Sequence, residues 1–173
     1  LVPHVETCME RVPSFENGGI KQIVNGPISY APDGNPMVGP AFGIPNMWIS
    51  EAHSFGVTAA GGAGWQLANW IVDGEPTVDM IGVDPRRFGV VTKHFTKLKN
   101  EEAYSHVFVN HFPMEERPAG REARTVPCHQ RLKDAGAVMG ARFGWERPNW
   151  FAKNGEEPSD TYSYRRSNWW EPV

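Results

Sequence analysis

Between residues 46 and 76 the hydrophobic rhythm of the chain changes twice. Asn46-Met-Trp-Ile-Ser50 is an apolar run of strand length, and behind it glycines gather at Gly56, Gly61, Gly62 and Gly64. Ala63, Leu67, Trp70 and Ile71 then recur at i, i+4, i+7 and i+8, while Gln66, Asn69 and Asp73 take the other side. The pattern predicts a strand, a glycine-rich loop and a helix that packs through Ala63, Leu67, Trp70 and Ile71. Gly74 stands where a left-handed residue closes a helix, and Pro76 follows as a stop. Such a helix, about twelve residues at 1.5 Å each, is about 18 Å long and covers one face of a sheet.

The flanking segments carry weaker patterns. Pro3 to Arg11 predicts a short helix with Val5, Cys8, Met9 and Val12 on one side, limited by Pro13. Ile20–Val24 and Ile28–Ala31 read as two short strands joined through Asn25-Gly26-Pro27. Pro32-Asp33-Gly34-Asn35-Pro36 is a turn, because proline presets φ, Asp bonds locally to backbone and glycine accepts positive φ; Met37–Gly39 leaves it as a strand. Past Gly89 the composition shifts to a polar, lysine-bearing stretch from Lys93 to Glu102 that leads into Ala103–Val109, and neither suggests an element. Cys128–Ala135 predicts a short helix, Ala137–Phe143 a strand, Gly144–Phe151 an aromatic turn and Asn154–Ser159 a polar loop. The expectation is an α+β chain with short mixed sheets and a few helices, divided near Gly89 into 1–89 and 90–173.

Composition narrows the chemistry. At 173 residues and 40% hydrophobic content the chain can bury a core, but 18 glycines and 15 prolines keep its regular elements short. A net charge of −3 gives no electrostatic footprint for nucleic acid, and no apolar window approaches the roughly 18 residues that span a bilayer. Cys8 and Cys128 are far apart without metal-like spacing, so two free thiols in a reducing compartment are expected. Leu1 at one end and Glu171-Pro172-Val173 at the other read as the ends of a piece of a longer polypeptide. Of the seven tryptophans, Trp145, Trp150, Trp169 and Trp170 fall near the C-terminus; most should be buried, against a neighbouring domain or, in a non-catalytic binding or assembly module, against a partner or sugar.

The glycine cluster is the strongest candidate for chemistry. Where a loop feeds a helix, free first-turn amides attract a phosphate, a carboxylate or the electron-rich carbonyl edge of a flavin. The same glycines also serve a helix packed tightly on a strand. No GxGxxG or GxxxxGK[ST] pattern occurs, so no self-sufficient nucleotide site is encoded. The six histidines show no HxxxH or HExxH spacing, and no metal site is expected. His53, just ahead of Gly56, is the imidazole placed to touch a ligand. Cys128-His129 cannot act as a nucleophile and base, since neighbours in sequence point apart. Arg117, Arg121, Arg124, Arg131 and Lys133 interleave with Glu115, Glu116, Glu122 and Asp134, which reads as a solvated, ion-paired surface.

Several segments in order resemble one family. Asn25-Gly26-Pro27, Ala31-Pro-Asp-Gly-Asn-Pro-Met-Val-Gly-Pro40, Gly56-Val-Thr-Ala-Ala-Gly-Gly-Ala-Gly64, Trp70-Ile-Val-Asp-Gly-Glu-Pro76 and Asp84-Pro-Arg-Arg-Phe88 are similar to the closing third of the FAD domain of dimethylglycine and sarcosine dehydrogenases. Asn110-His-Phe-Pro113, Gly120-Arg121, Gly136-Ala137 and Gly144-Trp-Glu-Arg-Pro-Asn-Trp-Phe151 resemble the central domain that follows it. The resemblance implies an incomplete FAD-oxidoreductase lobe and a small connecting domain, a fragment or one subunit of an enzyme that oxidises the N-methyl group of a secondary or tertiary amine such as dimethylglycine or sarcosine, completed by the rest of the same polypeptide or by a partner subunit. Position by position it implies that Ser54, Phe55, Gly56, Val57 and Thr58 border FAD and that Gly26, Pro27 and His53 lie toward the substrate. Glu51-Ala52-His53 departs from the small residue and glycine of many relatives. Catalytic acid–base residues would belong to polypeptide not present here, as would a tetrahydrofolate-binding domain. The location implied is the mitochondrial matrix in a eukaryote and the cytoplasm in a bacterium.

Overall fold

A computed structural model describes residues 1–153 and 155–172, so Asn154, the first residue of the expected 154–159 loop, and Val173 lie outside the described residues. The order is α1 (Val2–Arg11), β1 (Met37–Pro40), β2 (Trp48–Glu51), α2 (Gly56–Asp73), α3 (Lys93–Ser105), α4 (His129–Asp134), β3 (Ala137–Arg142) and β4 (Trp145–Phe151). Single 3₁₀ turns at Pro13–Asn17 and Pro85–Phe88 punctuate it. Each sheet is a two-stranded antiparallel ribbon, β1 with β2 and β3 with β4, giving the α+β arrangement that the sequence implies.

The first ribbon exists to seat α2. Gly39 adopts φ +142°, and a Cβ there would sit 2.8 Å from Cζ3 of Trp70, so the strand can pass beneath the indole only as glycine. Trp48 meets Trp70 edge-to-face at 6.1 Å, and the Val38 amide donates to the Val83 carbonyl at 2.8 Å, closing the ribbon's other side. Helix α2 ends on Gly74 in the left-handed conformation, its amide bonded to Trp70 O, as the sequence predicts.

A small core joins the two halves of the chain. Ala31, Ala52, Phe88 and Phe95 form a buried cluster, with Met37, Val91 and Phe143 packed against it. Arg87 clips this region: its fully buried guanidinium donates from Nε and Nη2 to the two Asp33 oxygens at 2.9 and 2.8 Å, and from Nη1 to Asp84 O at 3.0 Å. The Ala31–Asn35 turn is thereby fixed against the Pro85–Phe88 turn.

Several expected features differ. Residues 20–31 form no strand: 20–29 run irregular and exposed, with Val24 86% open, and only Tyr30 and Ala31 turn inward, because no element among the described residues offers the segment a sheet edge. Gly144–Phe151 is not an aromatic turn. The turn is the pair Phe143–Gly144, both at positive φ, and Trp145 onward returns as β4. Lys93–Ser105, left without an element in the sequence, is helix α3, capped by the Thr92 hydroxyl accepting from the Phe95 amide at 3.1 Å. The basic run is only partly solvated: Arg121 donates to both oxygens of Glu146, whose side chain is 1% exposed, at 2.8 and 2.6 Å. Burial pushes the Glu146 carboxyl up, yet Arg121 and the Glu122 amide outweigh it and hold the group below the usual carboxylate range. Only Trp70 and Trp150 of the tryptophans are buried, whereas Trp65, Trp145 and Trp170 stand open.

The accessible area is 12390 Å², against about 8,500 Å² for a closed monomer of this mass by the usual size scaling. About 3,900 Å² is therefore surface that a finished domain would hide.

Candidate functional site

Strand β2 ends at Glu51, and Ala52 turns the chain sharply with φ +58° while its methyl stays buried. His53, Ser54 and Phe55 cross the short gap, and α2 begins at Gly56 rather than beyond the glycines. Gly61, Gly62 and Gly64 are thus helical, not loop, residues. The first amide of α2 with a backbone partner is that of Ala59, which donates to Phe55 O at 3.1 Å. Phe55 supplies no side-chain cap, so the amides of Gly56, Val57 and Thr58 have no acceptor among the described residues. Val57 is 99% exposed. Three aligned N–H groups and the positive end of an 18-residue helix open outward at the position expected for an anion-bearing ligand.

Beside this terminus lies a cavity of 320 Å³ walled by Tyr30, Asp33, His53, Ser54, Phe55 and Arg117, with His106 and His111 completing it. A second, apolar cavity of 310 Å³ shares Tyr30, Ser54 and Phe55 and adds Ile28, Tyr104 and Phe108. Tyr30 and Tyr104 meet edge-to-face at 5.3 Å in the wall of the apolar cavity. Of the residues expected near the substrate, His53 lies at the site, its Nε2 3.1 Å from Ser50 Oγ and its buried Nδ1 without a partner among the described residues. Gly26 and Pro27 sit on the exposed irregular segment, and neither of these cavities is lined by them.

Sequence reasoning missed Tyr30, Tyr104 and Arg117. The first two were legible only as parts of apolar runs, and Arg117 was absorbed into the basic stretch. What brings them together is α3, which lays Ala103 and Tyr104 against the 30–36 turn, and no local spacing announces that crossing. His106 and His111 stack at 6.0 Å, but no cluster of three metal-ligating side chains forms among the described residues.

A helix terminus with open amides, delivered by a strand and bordered by two cavities, is a place suited to an electron-rich ligand. Residues 73–125 match the family model described as FAD dependent oxidoreductase central domain. The whole chain is 41% identical over 174 residues to mitochondrial dimethylglycine dehydrogenase of Rattus norvegicus. It is 39% identical over 165 residues to mitochondrial sarcosine dehydrogenase of Homo sapiens, covering 93% of the chain. With 4-methylaminobutanoate oxidase (formaldehyde-forming) of Paenarthrobacter nicotinovorans it shares 33% over 165 residues, 94% of the chain. The chain is thus similar over nearly its whole length to the dimethylglycine and sarcosine dehydrogenases, and it spans about a fifth of the length of these relatives (20%, 18% and 20%).

Proposed function

We propose that this chain supplies the flavin-facing end of the FAD domain, over 1–89, and the connecting domain, over 90–173, of an enzyme that oxidises the N-methyl group of a small secondary or tertiary amine. The observation that carries the reading is the set of unpaired amides at Gly56, Val57 and Thr58 opening onto unfilled space, in a chain related along its whole length to N-methylamine dehydrogenases.

FAD, when bound, supplies the acceptor for the hydride leaving the N-methyl carbon. The part played by this chain is electrostatic. The amides of Gly56, Val57 and Thr58 at the α2 terminus would hold the electron-rich edge of the flavin ring, and a preorganised donor of this kind is worth several kcal/mol because it needs no reorganisation. Ser54 and Phe55 would border the ring, beside the aromatic wall of Tyr30, Tyr104 and Phe108. His53 faces the substrate side. Tetrahydrofolate, if it takes part, binds in another domain of the full polypeptide. The relatives' names place them in mitochondria; a eukaryotic source implies the matrix here, a bacterial one the cytoplasm.

The test is the intact polypeptide carrying this chain. It should purify yellow, with flavin absorbance that bleaches anaerobically on adding dimethylglycine or sarcosine. A colourless polypeptide that folds and instead captures a glycan or protein through its aromatic C-terminal segment would establish the non-catalytic alternative.

A further inference from the structure

The cavity beside α2 carries an imbalance of charge. Asp33 is the one carboxylate in its wall, and both Asp33 oxygens are taken by Arg87 from behind. The neighbouring acids are also engaged elsewhere. Glu115 accepts from the Phe112 amide at 2.8 Å and lies 3.8 Å from Nδ1 of His111, so its charge is directed at the imidazole rather than at Arg117, while Glu116 accepts from Asn149 Nδ2 at 2.8 Å and the Ala141 amide at 3.2 Å. Arg117, by contrast, makes no hydrogen bond or ion pair among the described residues, although it is half-buried and lines the cavity. An Arg in that position has given up part of its hydration without recovering it from protein, a cost that a planar, bidentate acceptor repays. Its two sides differ in character: a guanidinium and three imidazoles on the cavity side, four aromatic rings on the shared Tyr30–Phe55 side.

We infer that Arg117 is a specificity-determining residue that binds the carboxylate of the amine substrate, so that the enzyme selects N-methylated amino acids over N-methylated amines lacking an acid group. The inference rests on the proposed flavoenzyme reading for the identity of the site and adds to it which end of the substrate this chain reads. The aromatic side accommodates the methylated nitrogen, whose cationic form is attracted to ring faces.

The experiment uses the full flavin-containing polypeptide with Arg117→Gln and Arg117→Lys. For wild type and variants, kcat/KM is measured for dimethylglycine and for its methyl ester, and binding of glycine betaine, a carboxylate whose quaternary nitrogen cannot become an imine, is measured by calorimetry. A hydrogen-bonded charge of this type is worth about 1.5–3 kcal/mol, or about 10- to 150-fold. Arg117→Gln should lower the acid-over-ester selectivity by about that factor and weaken betaine equally, with flavin content retained and Arg117→Lys intermediate. Equal losses on acid and ester, or betaine affinity unchanged, overturns the assignment. Betaine binding that depends on Arg117 in a polypeptide that oxidises no N-methylated amine would instead overturn the flavoenzyme reading and leave the carboxylate site standing.

Discussion

Gly61 and Gly64 lie in the interior of α2, and a Cβ added at either would meet no other part of the described residues within 4 Å. An interior helix glycine is about 1 kcal/mol less favourable than alanine, so the double substitution Gly61→Ala, Gly64→Ala should stabilise the 173-residue chain by about 2 kcal/mol. At about 2–4 °C per kcal/mol for a domain of this size, Tm rises by about 4–8 °C. In the longer polypeptide the sign should reverse. If backbone or cofactor approaches the glycine face closely, each new methyl overpacks it at about 1–3 kcal/mol, which cancels the propensity gain and leaves a net loss of up to about 4 kcal/mol. The assay is thermal unfolding by far-UV circular dichroism in both contexts, with flavin retained per mole read alongside. Equal stabilisation in the short and long polypeptides would refute the reasoning: α2 would then face water in the finished protein, and its glycines would have no neighbour to explain them.

Gly39→Ala should destabilise by about 1–3 kcal/mol, since the new Cβ falls on the Trp70 ring at 2.8 Å and the left-handed backbone gives it no relief; chemical denaturation reads the loss. Arg87→Ala strips the Asp33 carboxylate of its buried partner and should cost about 3–5 kcal/mol, measured the same way and accompanied by faster proteolysis around residues 31–36. The Glu146 carboxyl has a depressed folded pKa, so its contribution is present above the unfolded value of about 4.3 and is lost as pH falls through the folded value. Glu146→Gln should therefore lower stability at neutral pH by about 3 kcal/mol and flatten the acid limb of a stability–pH curve; an unchanged acid limb would show that the pair does not carry it.

Elements whose signals are local were legible in the sequence. The 32–36 turn, the Gly74 cap, the helix at Cys128–Ala135 and the strand from Ala137 all rest on residues that determine their own backbone, and each forms where the sequence predicts. Elements that depend on a distant partner were not. The hairpin partner β4 is unlocked by Phe143 at φ +52°, a conformation that phenylalanine does not advertise, and α3 hides its Phe95–Glu102–Ala103 face among lysines. Strands at 20–24 and 28–31 have the right residues and no edge to join. At the site, the glycines and Ser54–Thr58 were visible as motif and position, while Tyr30 and Arg117 are supplied by packing across the chain.

The two faces of α2 show where the expected stripe of Ala63, Leu67, Trp70 and Ile71 holds and where it departs: Trp70 is buried and Ala63 and Leu67 half-buried, but Ile71 is exposed and Gln66 takes a buried place. Gln66 is buried because it is clamped to Thr77, accepting from the Thr77 amide at 3.0 Å and donating from Nε2 to its hydroxyl at 2.8 Å. Ile71 is displaced outward, where it joins Trp65, 66% exposed, and Val72. A helix that turns a satisfied amide inward and leaves tryptophan, isoleucine and valine outward gains nothing from water on that outer side. The arrangement becomes favourable only when a second surface covers the outer face. That surface would also bring backbone or ligand against Gly61 and Gly64, remove much of the roughly 3,900 Å² of excess area, and bound the open mouth above the Gly56–Thr58 amides. One missing neighbour thus accounts for the open helix face, the costly glycines and the unpaired amides together, and it is the neighbour that a flavin lobe would supply.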